Sequence, residues 1–257
     1  MMNLYHHQQD VLNQTADKNR VAYYLDMGLG KTFVGAEKMV RLGANVNLLI
    51  CQKSKINDWL NHFKKHYYDL LILDLTNKTE LKMFLIESYR NVNRVIGIIH
   101  YELARRRKDL LNLENFTLML DESSLIQNDA AKQSKFILKL NPANVILLSG
   151  TPTAGKYENL WSQAHLLGWK ISKPLYESQY INYELLDVGG TKVKVVNKAD
   201  PYKNVERLKQ KMRDHGAVFM KTDEVIELPQ QNFINVTCNV SKSYKMFIKG
   251  GYTVLNG

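Results

Sequence analysis

Two glycines, a lysine and a threonine give this chain its clearest chemical signal: Asp26-Met27-Gly28-Leu29-Gly30-Lys31-Thr32, between an apolar run at 21–25 and a helical pattern at 33–42. Strand, tight glycine turn and helix in that order make an anion site. Gly28 and Gly30 allow positive φ and let backbone N–H groups approach an anion with no Cβ in the way. The following helix aims its positive dipole end and unpaired N–H groups at the same spot. Lys31 would then neutralise the β and γ phosphates of a nucleotide, and the Thr32 hydroxyl would ligate Mg2+. The general phosphate-loop pattern has a further glycine where this chain has Leu25.

Two adjacent carboxylates form the second signal. The apolar run 116–120 leads straight into Asp121-Glu122-Ser123-Ser124. In a nucleotide site Asp121 holds Mg2+, while Glu122 orients and deprotonates the attacking water. A third apolar run, 145–148, leads into Ser149-Gly150-Thr151-Pro152.

These residues need a scaffold that brings strand ends together. Val-, Ile- and Leu-rich runs at 21–25, 47–51, 70–75, 94–99, 116–120 and 145–148 do not alternate strictly, as expected of strands covered on both faces. Helical periodicity lies between them at 31–42, 56–66, 79–89, 101–111 and 130–140. The expected fold is α/β, with a mostly parallel sheet, helices on both faces and ligands at the carboxyl ends of the strands. The chain has 257 residues, 45% of them hydrophobic, and a net charge of +10, which favours a polyanionic partner such as nucleic acid. Cys51 and Cys238 lack metal-ligand spacing and read as buried thiols. The first residues carry no leader pattern and no run is long enough to span a bilayer, so a cytoplasmic protein with no membrane partner is expected.

In this order the three landmarks resemble the first, RecA-like motor lobe of superfamily-two helicases and translocases, and among them the Swi/Snf-like ATPases. Leu4-Tyr5-His6-His7-Gln8-Gln9 is similar to the glutamine motif of that family, which implies that Gln8 contacts adenine, with Gln9 the alternative by one register. The resemblance implies that Gly28, Leu29, Gly30, Lys31 and Thr32 bind nucleotide, and that Ser149 and Thr151 couple nucleotide state to DNA grip. The segment 48–59 resembles one that touches the nucleic-acid backbone, and 94–102 resembles the next, giving Lys53, Ser54 and Tyr101 as nucleic-acid contacts. Lys53 and Lys55 read equally well as a solvated turn. Asn128 also fits the pattern.

Departures are visible too. Ser123-Ser124 stand where cellular members usually carry a small residue and histidine, and Phe219 and Met220 replace arginines usual in the segment that closes the lobe. Short lobes with serine in the acidic box resemble those of bacteriophages and mobile elements, which implies a bacterial host cytoplasm. Residues 183–196 alternate around Gly189-Gly190 and predict a projecting β-hairpin insertion, about 183–197, with a charged solvent face. Arg105-Arg106-Arg107-Lys108, placed on the helix 101–111, would point in several directions.

The expected organisation is one ATP-binding lobe over 1–235, then, after an apolar stretch at 233–240 and a helical pattern from 241, a linker at 236–257 towards a second lobe that the sequence does not show. The family's arginine fingers come from that lobe, in cis or in trans, so the chain alone is expected to hydrolyse ATP weakly. The expected function is an ATP-dependent DNA translocase or helicase acting on duplex DNA. The alternatives are a non-motor, ATP-gated DNA- or protein-binding module and the lobe of an RNA helicase.

Overall fold

Apolar side chains that alternate to two covered faces determine how the chain folds. The computed structural model describes residues 3–225. Seven strands form one sheet: β1 (Arg20–Leu25), β2 (Val46–Cys51), β3 (Leu71–Asp74), β4 (Val95–His100), β5 (Phe116–Asp121), β6 (Asn144–Ser149) and β9 (Ala217–Met220). Their order is β3-β4-β2-β5-β6-β1-β9, and every pairing is parallel. Helices α1 (His6–Gln14), α2 (Lys31–Arg41) and α3 (Ile56–His66) supply the cover for one face. Val21, Tyr23 and Leu25 of β1 lie in that core with Val11, Val34 and Phe63. The other face is covered by α4 (Lys78–Arg90), α5 (Tyr101–Ala104), α6 (Lys132–Ile137), α7 (Trp161–Leu166), α8 (Lys173–Tyr180) and α9 (Val205–Asp214). Ala22 and Tyr24, the alternate residues of β1, share that second core with Phe84, Tyr176 and Met212. Period-two alternation with both sides buried is the expected signature of a parallel sheet.

The expected hairpin is present. β7 (Tyr183–Val188) and β8 (Thr191–Val196) pair antiparallel around Gly189 and Gly190, whose φ values of 61° and 85° give the turn the hand that suits twisted strands.

Other expectations need correction. The helix expected over 101–111 stops at Ala104, and a short 3-10 segment follows at Lys108–Asn112. A continuous helix would carry Lys108 round to the core side below Tyr101 and Ala104. Turning the chain at Arg105–Arg107 instead buries Leu110 and Leu113. Arg105–Arg107 therefore lie in the turn after α5, and Lys108 opens the 3-10 segment. The helix expected over 130–140 is the shorter α6, entered through an Asx turn in which Asn128 Oδ1 accepts from Ala130 N at 3.0 Å. Strand β9 and helices α7, α8 and α9 were not among the expected elements. The apolar stretch at 233–240, the helical pattern from 241, the linker at 236–257 and Cys238 lie outside the described residues. No helix among the described residues is long and apolar enough to cross a membrane.

Helix α2, which carries the phosphate loop's lysine, lies unusually close to the sheet because of Gly35. A Cβ there would sit 2.7 Å from a methyl of Leu148 on β6 and 3.0 Å from the sulfur of Met119 on β5. Gly35→Val is expected to destabilise the fold by about 1–3 kcal/mol through overpacking. Urea denaturation should show a lower midpoint at unchanged slope.

Candidate nucleotide-binding site

The loop between β1 and α2 makes the backbone cradle that its glycines imply. Gly28 and Gly30 take φ of 87° and 76°, and Gly30 is the residue from which α2 starts. A Cβ on Gly28 would meet no atom within 4 Å, so that side of the loop is open. Among the described residues, the backbone N–H groups of Gly28, Gly30, Lys31 and Thr32 have no hydrogen-bond acceptor. Four unpaired donors at a helix N-terminus suit an anion. Lys31 Nζ folds back onto the end of β1, donating to the carbonyls of Leu25 (2.8 Å) and Asp26 (3.1 Å). Burial lowers its pKa, while Glu122, Asp121 and Asp26 oppose the shift.

Gln8 anchors this loop from α1. Its Nε2 donates to Leu29 O at 3.2 Å, and its Oε1 accepts from Tyr5 N at 3.0 Å. His7 Nε2 lies 3.2 Å from the same Leu29 carbonyl, so Leu29 meets both through its backbone while its side chain is buried. Gly30 is suited to its positive φ, and a Cβ there would displace the Gln8 amide from its place against the loop. Gln9, the alternative, is exposed and bonds Leu4 O at 2.9 Å.

The acidic turn closes the opposite wall. Glu122 sits at φ 58°, ψ 61°, a left-handed conformation that costs a residue with a Cβ about 1–3 kcal/mol and clusters at functional sites. Its Oε1 accepts from Ser149 Oγ at 2.8 Å and from Ser124 Oγ. Ser149 Oγ in turn accepts from Thr151 N at 3.1 Å, so Thr151, Ser149 and Glu122 form one chain of hydrogen bonds. Asp121 Oδ2 accepts from the indole N–H of Trp59 at 2.8 Å. Burial raises the Asp121 pKa, against the opposing pull of that bond.

Lys31, Glu122, Gly150 and Thr151 line one cavity of about 340 Å³ with Asp26, Met27 and Thr222. Asp26 Oδ2 accepts from Thr222 N at 3.1 Å, tying the loop to the segment after β9. Thr32 and Asp121 directly follow and precede, in the chain, the lining residues Lys31 and Glu122. A basic amine, a hydroxyl, a carboxylate and four free N–H groups are the donor set that Mg2+ and polyphosphate need, and the residues present fit both.

The expected nucleic-acid residues separate. Lys53 and Ser54 are exposed on a 3-10 turn, Lys53–Lys55, at the carboxyl end of β2, while the charge of Lys55 is paired with Asp58 at 2.9 Å. Tyr101 is a correction: it is 4% exposed, and its hydroxyl donates to the backbone carbonyls of Asp121 (2.9 Å) and Glu122 (3.3 Å). It supports the acidic turn from beneath, because its place at the start of α5 faces the core.

Sequence reasoning missed several supporting residues. Gln163 on α7 is buried and joins the acidic box to the 149–152 loop, accepting from Ser123 Oγ (2.7 Å) and Tyr24 OH (3.0 Å) and donating to Pro152 O (2.9 Å). Its position carries no local sequence signal. Ser124 was visible only as a departure, yet it bonds Glu122 directly.

The fold is that of a RecA-like lobe, and the site has the arrangement of a phosphate loop. Residues 24–250 match the SNF2-related domain, and the chain belongs to that family of ATPase domains. A solved structure of the Sulfolobus solfataricus SWI2/SNF2 ATPase core in complex with dsDNA shares the fold, with a TM-score of 0.69, 20% identity, and coverage of 88% of this chain and 46% of that one. Among relatives, ISWI chromatin-remodeling complex ATPase ISW1 of Saccharomyces cerevisiae is 28% identical over 159 residues, 58% of this chain and 14% of that protein. Human lymphoid-specific helicase is 24% identical over 237 residues, 86% of this chain and 28% of that protein. The chain thus spans under a third of the length of these two relatives.

Beside the site, the ring of Phe33, next to Thr32, meets His62 of α3 edge-on at 5.0 Å. Burial, reinforced by His66 and Lys65, lowers the His62 pKa to about 4. Below its ordinary value of about 6.5 the unfolded chain takes up this proton first, so stability is expected to fall as pH drops from 6.5 towards 4. Solvent screening at this half-buried ring keeps the expected loss by pH 5 to about 1 kcal/mol or less. Urea titrations at pH 7.5 and pH 5 should show this loss in the wild type and a smaller one in His62→Leu.

Proposed function

We propose that this chain is the ATP-binding first lobe of an ATP-dependent DNA translocase or helicase. The observation that carries the reading is the meeting, at the carboxyl ends of β1, β5 and β6, of a free-donor phosphate cradle with a carboxylate already hydrogen-bonded to Ser149. In this reading Lys31 leaves the carbonyls of Leu25 and Asp26 to meet the phosphates. Thr32 and Asp121 hold Mg2+, which supplies charge neutralisation on the transferred phosphoryl group. Glu122, fixed by Ser149 and Ser124, orients water and takes its proton. Gln8 contacts adenine while keeping its bond to Leu29, and Ser149 and Thr151 relay the state of Glu122 to the DNA-facing surface.

Duplex DNA is the favoured track. The net charge of +10 and the exposed Lys53 and Ser54 support a phosphate-backbone contact, and the solved Sulfolobus solfataricus core with this fold is in complex with dsDNA. The lobe covers 1–235, and 236–257 begins a linker to a second RecA-like lobe, in cis or in trans, whose arginines complete the site. A bacteriophage or mobile-element source, with a bacterial host cytoplasm, rests on the Ser123-Ser124 form of the acidic box.

ATPase assays with no nucleic acid, duplex DNA, single-stranded DNA and RNA, with and without an added second-lobe protein, test the proposal. The expected result is slow turnover alone and stimulation by duplex DNA once the second lobe is supplied. Glu122→Gln should lower the stimulated rate by about 10²–10⁴-fold, and Lys31→Ala should abolish nucleotide binding. Binding without turnover in every mixture would contradict the motor and favour an ATP-gated module; stimulation by RNA alone would contradict the duplex-DNA assignment.

A further inference from the structure

Asp121 has one side-chain partner among the described residues, and it comes from a helix that the catalytic machinery does not use. The indole N–H of Trp59 donates to Asp121 Oδ2 at 2.8 Å, and Asp121 makes no ion pair there. Trp59 is 2% exposed, so the bond is shielded from water and fixes the rotation of the carboxyl group. A buried tryptophan needs an acceptor, and a backbone carbonyl commonly serves. Here the acceptor is instead a carboxylate at the edge of the site, with its other oxygen left unbonded.

The surroundings of Trp59 make this bond more than local packing. Its ring stacks on Phe63 with centroids 5.7 Å apart and meets His62 edge-on at 5.9 Å. His62 meets Phe33 edge-on at 5.0 Å, and Phe33 directly follows Thr32 on α2. Asp121 and Phe33, the residue after Thr32, thus both meet side chains of α3. That helix begins at Ile56, immediately after the exposed turn Lys53–Lys55, and Trp59 lies about one helical turn beyond Lys55.

We propose that Trp59 is a positioning residue that aligns Asp121 for Mg2+ and links the 53–55 turn to the nucleotide site. The inference rests on the nucleotide reading of that site and deepens it. It assigns to one N–H group the task of making metal binding respond to contacts made by the 53–55 turn.

Trp59→Phe in the full chain keeps an aromatic ring and deletes the N–H. The probe is a fluorescent ADP analogue, bound first without metal and then titrated with Mg2+, with and without duplex DNA. Loss of such a supporting bond to a metal ligand is expected to raise the half-saturating Mg2+ concentration about tenfold or more. Metal-free analogue binding should stay within about twofold of wild type, since no phosphate donor is lost. DNA should lower the Mg2+ requirement of the wild type and leave that of Trp59→Phe unchanged. Phe63→Leu, which loosens the packing and keeps the N–H, should lower the melting temperature without changing the Mg2+ requirement.

Should Trp59→Phe fold poorly, the wild-type indole N–H resonance of Trp59 provides the same test, because it should shift when Mg2+ joins the bound analogue. An unchanged Mg2+ requirement in Trp59→Phe, or an indole resonance that Mg2+ does not move, overturns the positioning role. Equal losses of metal-free and metal-dependent binding reduce Trp59 to packing and overturn it too. A wild-type Mg2+ requirement insensitive to DNA overturns the link to the turn. A wild type that binds no analogue at all overturns the nucleotide reading itself, a result distinct from each of these.

Discussion

The register of three adjacent parallel strands is the constraint on which the rest of the structure depends. Asp121 at the end of β5 pairs with Leu148 on β6, and Ser149 at the end of β6 pairs with Tyr24 on β1. The three strands therefore run out within two residues of each other, at the edge where β1 turns into the phosphate loop. A slip of one residue in any strand would exchange its two buried faces, and both faces are filled with large side chains, so the register is held by the whole core. Chemistry at the edge inherits its precision from packing in the middle.

The acidic turn shows how that packing is spent. Glu122 is held left-handed, an unfavourable state for glutamate, and everything around it supports that state. Tyr101 donates to its carbonyl from below, Leu125 N donates to the same carbonyl at 3.0 Å, and Ser149 and Ser124 hold its carboxylate. Gln163 then ties the neighbouring Ser123 to the 149–152 loop. Ser124 is thus built into the site as a hydrogen-bond donor to the Glu122 carboxylate.

Much of this was legible in the sequence because local rules carry it. Glycines at 28 and 30 before lysine, an apolar strand ending in two carboxylates, and a Gly-Gly hairpin each announce themselves within a few residues. What escaped was decided by contacts far apart in the chain. The periodicity of 101–111 is helical on paper, yet burial of Leu110 and Leu113 breaks the helix after Ala104. Tyr101 read as a surface contact and is a buried strut, because the shape of α5 was not visible. Trp59 sits 62 residues from Asp121, and Gln163 40 residues from Ser123, separations across which no local pattern speaks.

The central claim is that Lys31 is held in waiting by two backbone carbonyls and is released to a phosphate. The most direct measurement is a crystal structure of the full chain with Mg2+ and a non-hydrolysable ATP analogue. The account predicts that Lys31 Nζ has left Leu25 O and Asp26 O for the β and γ phosphates, with Mg2+ between Thr32 and Asp121 and the phosphates on the N–H groups of Gly28, Gly30, Lys31 and Thr32. A nucleotide bound elsewhere, or phosphates in the loop with Lys31 still on the two carbonyls, would contradict it.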